Sequence, residues 1–304
     1  MDLSNKVAIV TGSGRGLGLA YAKDLARHGA AVVINDVDKE TADNAVAEIR
    51  ALGGRAVAVV APVGPTETAE QLVATAVEEF GRLDIMVTNA GILRDAVVWK
   101  TSDEAFDAVT TVHLRGTFTC VREAVQRFRE QGEGGRIICI GSPAGQRGNF
   151  GQTSYSGSKA AIVGMVRTWA MELERAGITA NAVCPVAVTA MTETVPIFRP
   201  HIEAARETGT LPALLRRDIG MGTVEDAAGI ITFLASDAAA DITGQAFAIG
   251  GDRVALWTHP QLSGISYHND GWSAEDLAAA WPSLSAHRES VGEEFPAELI
   301  GGGK

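Results

Sequence analysis

Cysteine is scarce. Cys120, Cys139 and Cys184 are the only three in 304 residues, far apart and without Cys-x-x-Cys spacing. An odd, scattered set argues against a disulfide framework or a cysteine-built metal site and leaves free buried thiols. No apolar run reaches the roughly 18 residues that span a bilayer. The opening MDLSNKVAIVTG lacks a basic run ahead of a long apolar core, and the closing IGGGK is no peroxisomal or retention address. No membrane partner and a cytoplasmic location are therefore expected. Positive charge is in the minority, with 26 Lys and Arg against 37 Asp and Glu and a formal charge of −11. That argues against nucleic acid as a partner, although a local basic patch can still meet an acidic small molecule. Internal repeats and low-complexity blocks are missing too.

What is present is alternation. Hydrophobic residues at 46% and charged residues at 21% suit a globular enzyme. Short β-branched runs at 7–11, 31–36, 56–61, 83–89, 136–141, 178–184 and 246–251 read as strands. Helical patterns fill the gaps, beginning with LGLAYAKDLARHG, which Gly29 closes, and continuing at 39–52, 66–80, 111–130 and 154–176. Continuous apolar strands separated by helices predict an α/β fold with a parallel sheet covered on both faces. Right-handed crossovers make it a doubly wound Rossmann sheet, with its ligand crevice at the strand C-termini. One domain is expected over 1–255, with a cap over the crevice at about 190–222. Residues 256–304, which carry Trp257, Trp272 and Trp281, read as a C-terminal extension of that domain.

VTGSGRGLG follows the first strand and opens the first helix. Its glycines, Gly12, Gly16 and Gly18, fall in a G-x-x-x-G-x-G spacing, with Ser13, Arg15 and Leu17 between them. Without a Cβ the turn can approach a pyrophosphate, and the helix start offers free N–H groups and a positive dipole. Asp36 ends the second strand, where a carboxylate accepts from adenosine ribose hydroxyls and repels a 2′-phosphate. The expected cofactor is NAD.

Tyr155 is one of three tyrosines, and Lys159 stands four residues later. In a helix that spacing puts both on one face. A phenol with a pKa of about 10 is a poor base at neutral pH, and a nearby ammonium favours its phenolate. Such a tyrosine can take the proton of an alcohol while hydride leaves the carbon. Ser142 ends the fifth strand and can hold the substrate oxygen by a hydrogen bond.

The ordered motifs TGSGRGLG, NAG at 89–91, Ser142, YSGSK and TGQAFAIGG resemble the short-chain dehydrogenase/reductase family over about residues 5–252. The resemblance implies NAD(P)-linked interconversion of an alcohol and a carbonyl, and dimers or tetramers. It makes Tyr155 the acid/base, Lys159 its activator and nicotinamide-ribose ligand, and Ser142 the orienting group. Asn89, Ala90 and Gly91 then line the cofactor, Val63 meets adenine, and Pro185, Val188 and Thr189 lie near the carboxamide. Three departures stand out. His113 replaces an asparagine of the family's proton relay, the acid usual near the adenine after the third strand is absent and Pro62 stands there, and no glycine follows Pro185. His113 is expected either to hold a relay water or to be a packed helix residue.

NAGILRD, VHLRGTF, GNFGQTSYSGSKA and MTETV are similar to the hydroxyacyl-CoA dehydrogenase domain of the peroxisomal multifunctional enzyme and to related bacterial hydroxysteroid dehydrogenases. That likeness implies a bulky apolar substrate, a 3-hydroxyacyl-CoA or a hydroxysteroid, met by Arg94, Arg147 and Met191. Arg199, His201, Arg206, Arg216 and Arg217 give the cap a basic character suited to CoA phosphates or to a solvated lid. A reductase of small ketones, a silent NAD(H)-binding protein and a structural subunit are the alternatives. The helices at 111–130 and 154–176 are expected to pair subunits of a homo-oligomer.

Overall fold

The computed structural model describes residues 1–189, 192, 197–292, 295, 296 and 299. Its centre is one eight-stranded sheet built from β1 (Val7–Val10), β2 (Ala31–Asp36), β3 (Arg55–Val60), β4 (Ile85–Thr88), β5 (Gly135–Ile140), β6 (Ile178–Pro185), β7 (Ala246–Gly250) and β8 (Arg253–Trp257). The order is β3-β2-β1-β4-β5-β6-β7-β8. All neighbours are parallel except β7 and β8, which form an antiparallel pair. The doubly wound α/β prediction holds. The reversal of strand order falls between β1 and β4, which places a crevice at their C-terminal ends.

Both faces are covered. On one, helices α1 (Gly16–Arg27), α2 (Lys39–Ala51) and α9 (Gly229–Ala235) bury Tyr21, Leu25, Ile49 and Ile231 against Val32, Ile34 and Ile138. On the other, α3 (Thr66–Phe80), α5 (Gly116–Gln131) and α7 (Thr153–Leu173) bury Leu72, Phe128 and Val166 against Ile9, Met86 and Ile137. Strands buried on both sides need apolar side chains at every position, which is why they read as unbroken apolar runs.

The elements differ from expectation at three places. The 111–130 pattern is not one helix. After α4 (Asp103–Thr110) the residues Thr111–Arg115 form a π-helical turn, and α5 then starts at Gly116. Ser142 caps a short helix, α6 (Pro143–Arg147), by accepting from the Ala144 N–H at 3.2 Å, and Pro143 suits the first helical position. Finally, β8 is a strand that was not expected, and it straddles the boundary at 255 between the domain and its extension. Gly250 and Gly251, at φ 155° and 52°, turn the chain back from β7. Both are packed against backbone: a Cβ on Gly250 would lie 2.1 Å from the Val186 carbonyl oxygen.

The cap contains α8 (Arg199–Thr208) and a second π-helical turn, Leu214–Ile219. Beyond β8 the chain forms α10 (Ala274–Ser285), closed at its start by a reciprocal Ser273–Asp276 capping box. No helix among the described residues is long and apolar enough to cross a membrane.

Candidate active site

Residue by residue, the crevice begins with the turn after β1. Gly12 and Gly16 take φ of 60° and 58°, a region that favours glycine. A Cβ on Gly12 would sit 2.7 Å from the Ala90 Cα, and one on Gly18 would sit 2.3 Å from the Gly12 carbonyl oxygen. Before Gly16 the space is open. No side chain caps the start of α1, so its first N–H groups face outward without a protein acceptor of that kind. Ser13 Oγ donates to the Val10 carbonyl at 2.6 Å. Arg15 is exposed and Leu17 half-buried. Asp36 is half-buried at the end of β2, with a carboxylate oxygen 2.6 Å from where a Gly14 Cβ would be.

Two organisers of this turn escaped the sequence reading. Thr11 Oγ1 accepts from the N–H groups of Asn89 and Ala90, and Asn89 Nδ2 donates to the carbonyls of Thr11 and Gly12. Asn35, 1% exposed, donates to the Val59 and Ala61 carbonyls and accepts from the Gly12 N–H. Polar residues at the ends of otherwise apolar strands were the available signal, since buried polar groups require partners.

The C-terminal end of β5 and the start of α7 bring Ser142, Tyr155 and Lys159 together. The Ser142 side chain lies close enough to the Tyr155 phenol to favour its ionised form. Lys159, 3% exposed, lies 5.7 Å from the Tyr155 ring centroid and donates to the Ile140 carbonyl at 2.5 Å. Gly145 permits this packing of α6 on α7; a Cβ there would lie 2.6 Å from the Lys159 carbonyl carbon. His113 comes from the π-helical turn and meets Tyr155 edge to face at 5.1 Å. Its Nε2 bonds the Ile92 backbone, 2.8 Å from the carbonyl oxygen and 3.1 Å from the nitrogen, while Nδ1 is buried without a protein partner.

The electrostatics correct one expectation. Burial raises the Tyr155 phenol above its ordinary value and outweighs the lowering by the nearby Ser142 side chain. The protein alone therefore does not make Tyr155 a ready base through Lys159. Lys159 is itself pushed down to about 8, because burial disfavours its charge. Burial first, then the Lys159 charge, push His113 down to about 3, so its imidazole is neutral at physiological pH. Burial also pushes the thiols of Cys139 and Cys184 up to about 12, and all three cysteines are free and buried.

The chain as a whole has relatives among known proteins. Residues 6–198 match the short chain dehydrogenase family. The chain belongs to that family. It is 39% identical to the hydroxyacyl-CoA dehydrogenase ChsB1 of Mycobacterium tuberculosis, over 95% of this chain and 91% of that one. It is 39% identical to the 3-oxoacyl-[acyl-carrier-protein] reductase FabG of Thermotoga maritima, over 84% of this chain and all of that one. A match of 44% to the peroxisomal multifunctional enzyme type 2 of Mus musculus covers 71% of this chain and 30% of the mouse protein. Among solved structures, a short chain dehydrogenase from Mycobacterium avium superposes with a TM-score of 0.81 at 31% identity, covering 97% of this chain and 99% of that one.

The remaining expected residues of this short chain dehydrogenase fall at varied places in the fold. Gly91 lies against the His113 ring, where a Cβ would come within 2.4 Å of Cε1. Val63 is buried in the sheet-face core and touches Gly116. Pro185 ends β6, the Val188 N–H donates to the Gly222 carbonyl, and the Thr189 N–H donates to Thr192 Oγ1 at 2.8 Å. Arg94 is exposed and donates to its neighbour's carbonyl. Arg147 lies over the Trp257 ring at 5.5 Å. In the cap, Arg216 bridges Asp226 and Asp252 at 3.0 and 2.7 Å and is thus held as a structural ion pair. Met191 and Val195 lie outside the described residues. No group of three or more His, Cys, Asp or Glu side chains among the described residues is arranged to hold a metal.

Proposed function

We propose that the protein is an NAD-dependent dehydrogenase that interconverts a secondary alcohol and a ketone on a bulky, apolar acyl substrate carried as a CoA thioester. The observation that carries this reading is the convergence of Ser142 and Lys159 on Tyr155, with Lys159 5.7 Å from its ring centroid. The glycine turn after β1 fits a dinucleotide: Gly12 and Gly18 hold positions a Cβ would fill, Gly16 faces open space, and the start of α1 is uncapped. Asp36 favours a free ribose over a phosphorylated one.

When bound, the cofactor supplies the hydride acceptor for oxidation, and its positive charge favours the phenolate. Tyr155 then takes the hydroxyl proton of the substrate, and Ser142 donates a hydrogen bond to the same oxygen. Lys159, held by the Ile140 carbonyl, places positive charge beside the tyrosine and would help hold the nicotinamide ribose. His113 packs against Tyr155, and its free Nδ1 is suited to hold a water next to Lys159. In the reverse direction Tyr155 protonates the reduced carbonyl.

The CoA-linked substrate rests on one relative whose name carries that chemistry, the hydroxyacyl-CoA dehydrogenase ChsB1. The carrier-protein reductase supports a second reading, a reductase of thioester-linked ketones. A homo-oligomer through α5 and α7 and a cytoplasmic location belong to the same proposal. The test is NADH formation with a 3-hydroxyacyl-CoA by wild type and Tyr155→Phe, with folding checked by circular dichroism. Turnover should fall about 10³-fold or more. A folded Tyr155→Phe protein within tenfold of wild type ends the assignment.

A further inference from the structure

Besides the two sheet-face cores there is a third apolar cluster, and it is assembled differently. Its buried members are Phe198 just before α8, Ile202 of α8, Leu215 and Ile219 of the second π-helical turn, Met221, and Leu299 from near the C-terminus. Phe295 joins them, edge-on to Phe198 with ring centroids 5.5 Å apart at 78°. Five of the six buried members thus belong to the cap region, and the sixth comes from the far end of the chain. Val186 and Val188, just after β6, pack against the same cluster.

The route to that cluster is unusual. From Trp257 to Val291 the chain runs almost wholly exposed, and α10 has no buried residue. Leu262, Tyr267 and Val291 are 88%, 90% and 90% exposed. The chain then returns to the body. The Gly292 N–H donates to the Arg147 carbonyl at 2.8 Å, the Leu299 N–H donates to the Pro296 carbonyl, and Leu299 is 6% exposed. Arg147 is the last residue of α6, the helix whose first turn is capped by Ser142. The returning residues therefore touch two separate parts of the fold, α6 and the cap.

Ordering so long an exposed excursion costs chain entropy, and what the returning end buries is cap. Without Phe295 and Leu299 the cap's own apolar side chains would lose one side of their cluster, because α8 itself buries only Ile202. We propose that Gly292, Phe295 and Leu299 act as a strap holding the cap at a set distance from α6, and that Phe295 and Leu299 thereby determine how well the crevice retains a large substrate. They are positioning residues: neither is assigned contact with the reacting atoms. A small alcohol, held by Ser142 and Tyr155 alone, does not depend on where the cap sits. A long acyl group does.

The proposal rests on the alcohol–ketone reading only for its kinetic arm. Full-length wild type, Phe295→Ala, Leu299→Ala and the conservative Phe295→Leu are compared by hydrogen exchange and by kinetics. Amides of residues 199–219 should exchange about tenfold faster in the two alanine variants, with sheet amides unchanged. With NAD⁺ and a 3-hydroxydecanoyl-CoA, KM should rise about tenfold while kcat stays within about twofold. Both constants for a small secondary alcohol should stay within about twofold of wild type, and Phe295→Leu should recover most of the loss. Unchanged exchange across the cap overturns the strap, as does an equal rise in KM for large and small substrates. If wild type turns over no alcohol at all, the reaction assignment fails, and the exchange measurement still decides the strap.

Discussion

His113→Asn probes the buried imidazole through the pH dependence of stability. His113 is 2% exposed, and its pKa drops from 6.5 to about 3 in the fold. The unfolded chain takes up a proton below about pH 6.5, whereas the folded one resists until about pH 3. Stability gained by keeping the ring neutral is thus fully present above pH 6.5 and drains away as the pH falls toward 3. Across the whole gap this linkage is worth about 5 kcal/mol, and between pH 7 and pH 5 it is worth about 2 kcal/mol. Asparagine does not titrate, and its carboxamide can still bond the Ile92 backbone. Its smaller volume lowers stability equally at both pH values and cancels in the comparison. Thermal unfolding at pH 7 and pH 5 should show wild type losing roughly 4 °C more than His113→Asn on acidification. Parallel losses in the two proteins would refute a neutral, desolvated imidazole beneath Tyr155.

Three further outcomes are expected. Asp36→Ala should shift the ratio of NADH to NADPH affinity toward NADPH by about tenfold or more, read by fluorescence titration; an unchanged ratio removes Asp36 from cofactor choice. Gly145→Ala should cost about 1–3 kcal/mol and cut turnover sharply, because the new methyl meets the Lys159 and Ala160 backbone and pushes α6, with Ser142, off α7. Normal activity in that variant would show that Ser142 is not positioned by this contact. Phe128→Ala should cost about 3–5 kcal/mol in urea unfolding yet leave cofactor affinity intact, since Phe128 is fully buried under β5 and away from the crevice.

How far the sequence could be read follows from which forces act locally. The seven parallel strands were legible because burial on both faces forces unbroken apolar runs such as AVVI and IICI. The eighth, RVALW, carries an apolar run too, but it is an edge strand with Val254 and Leu256 64% and 58% exposed, so burial on both faces did not shape it, and it follows β7 after only a two-residue turn. Tyr155, Lys159 and Ser142 were legible because helical spacing alone brings the first two to one face. The hold of the Ile140 carbonyl on Lys159 was not, because it depends on how β5 and α7 pack. The upward pull on the Tyr155 phenol was missed for the same reason: desolvation is a property of the surroundings, and spacing records only the neighbouring cation.

The π-helical turn at Thr111–Arg115 has a consequence of its own. Such a turn accommodates one residue more than an α-helix of equal rise. Deleting a single residue there would let Asp103–Gln131 run on as one regular rod, with its downstream half rotated by about a quarter-turn. His113 would then swing out of reach of Ile92, although every side chain assigned to proton transfer had been kept. In this stretch chain length, as much as residue identity, is a parameter of the chemistry.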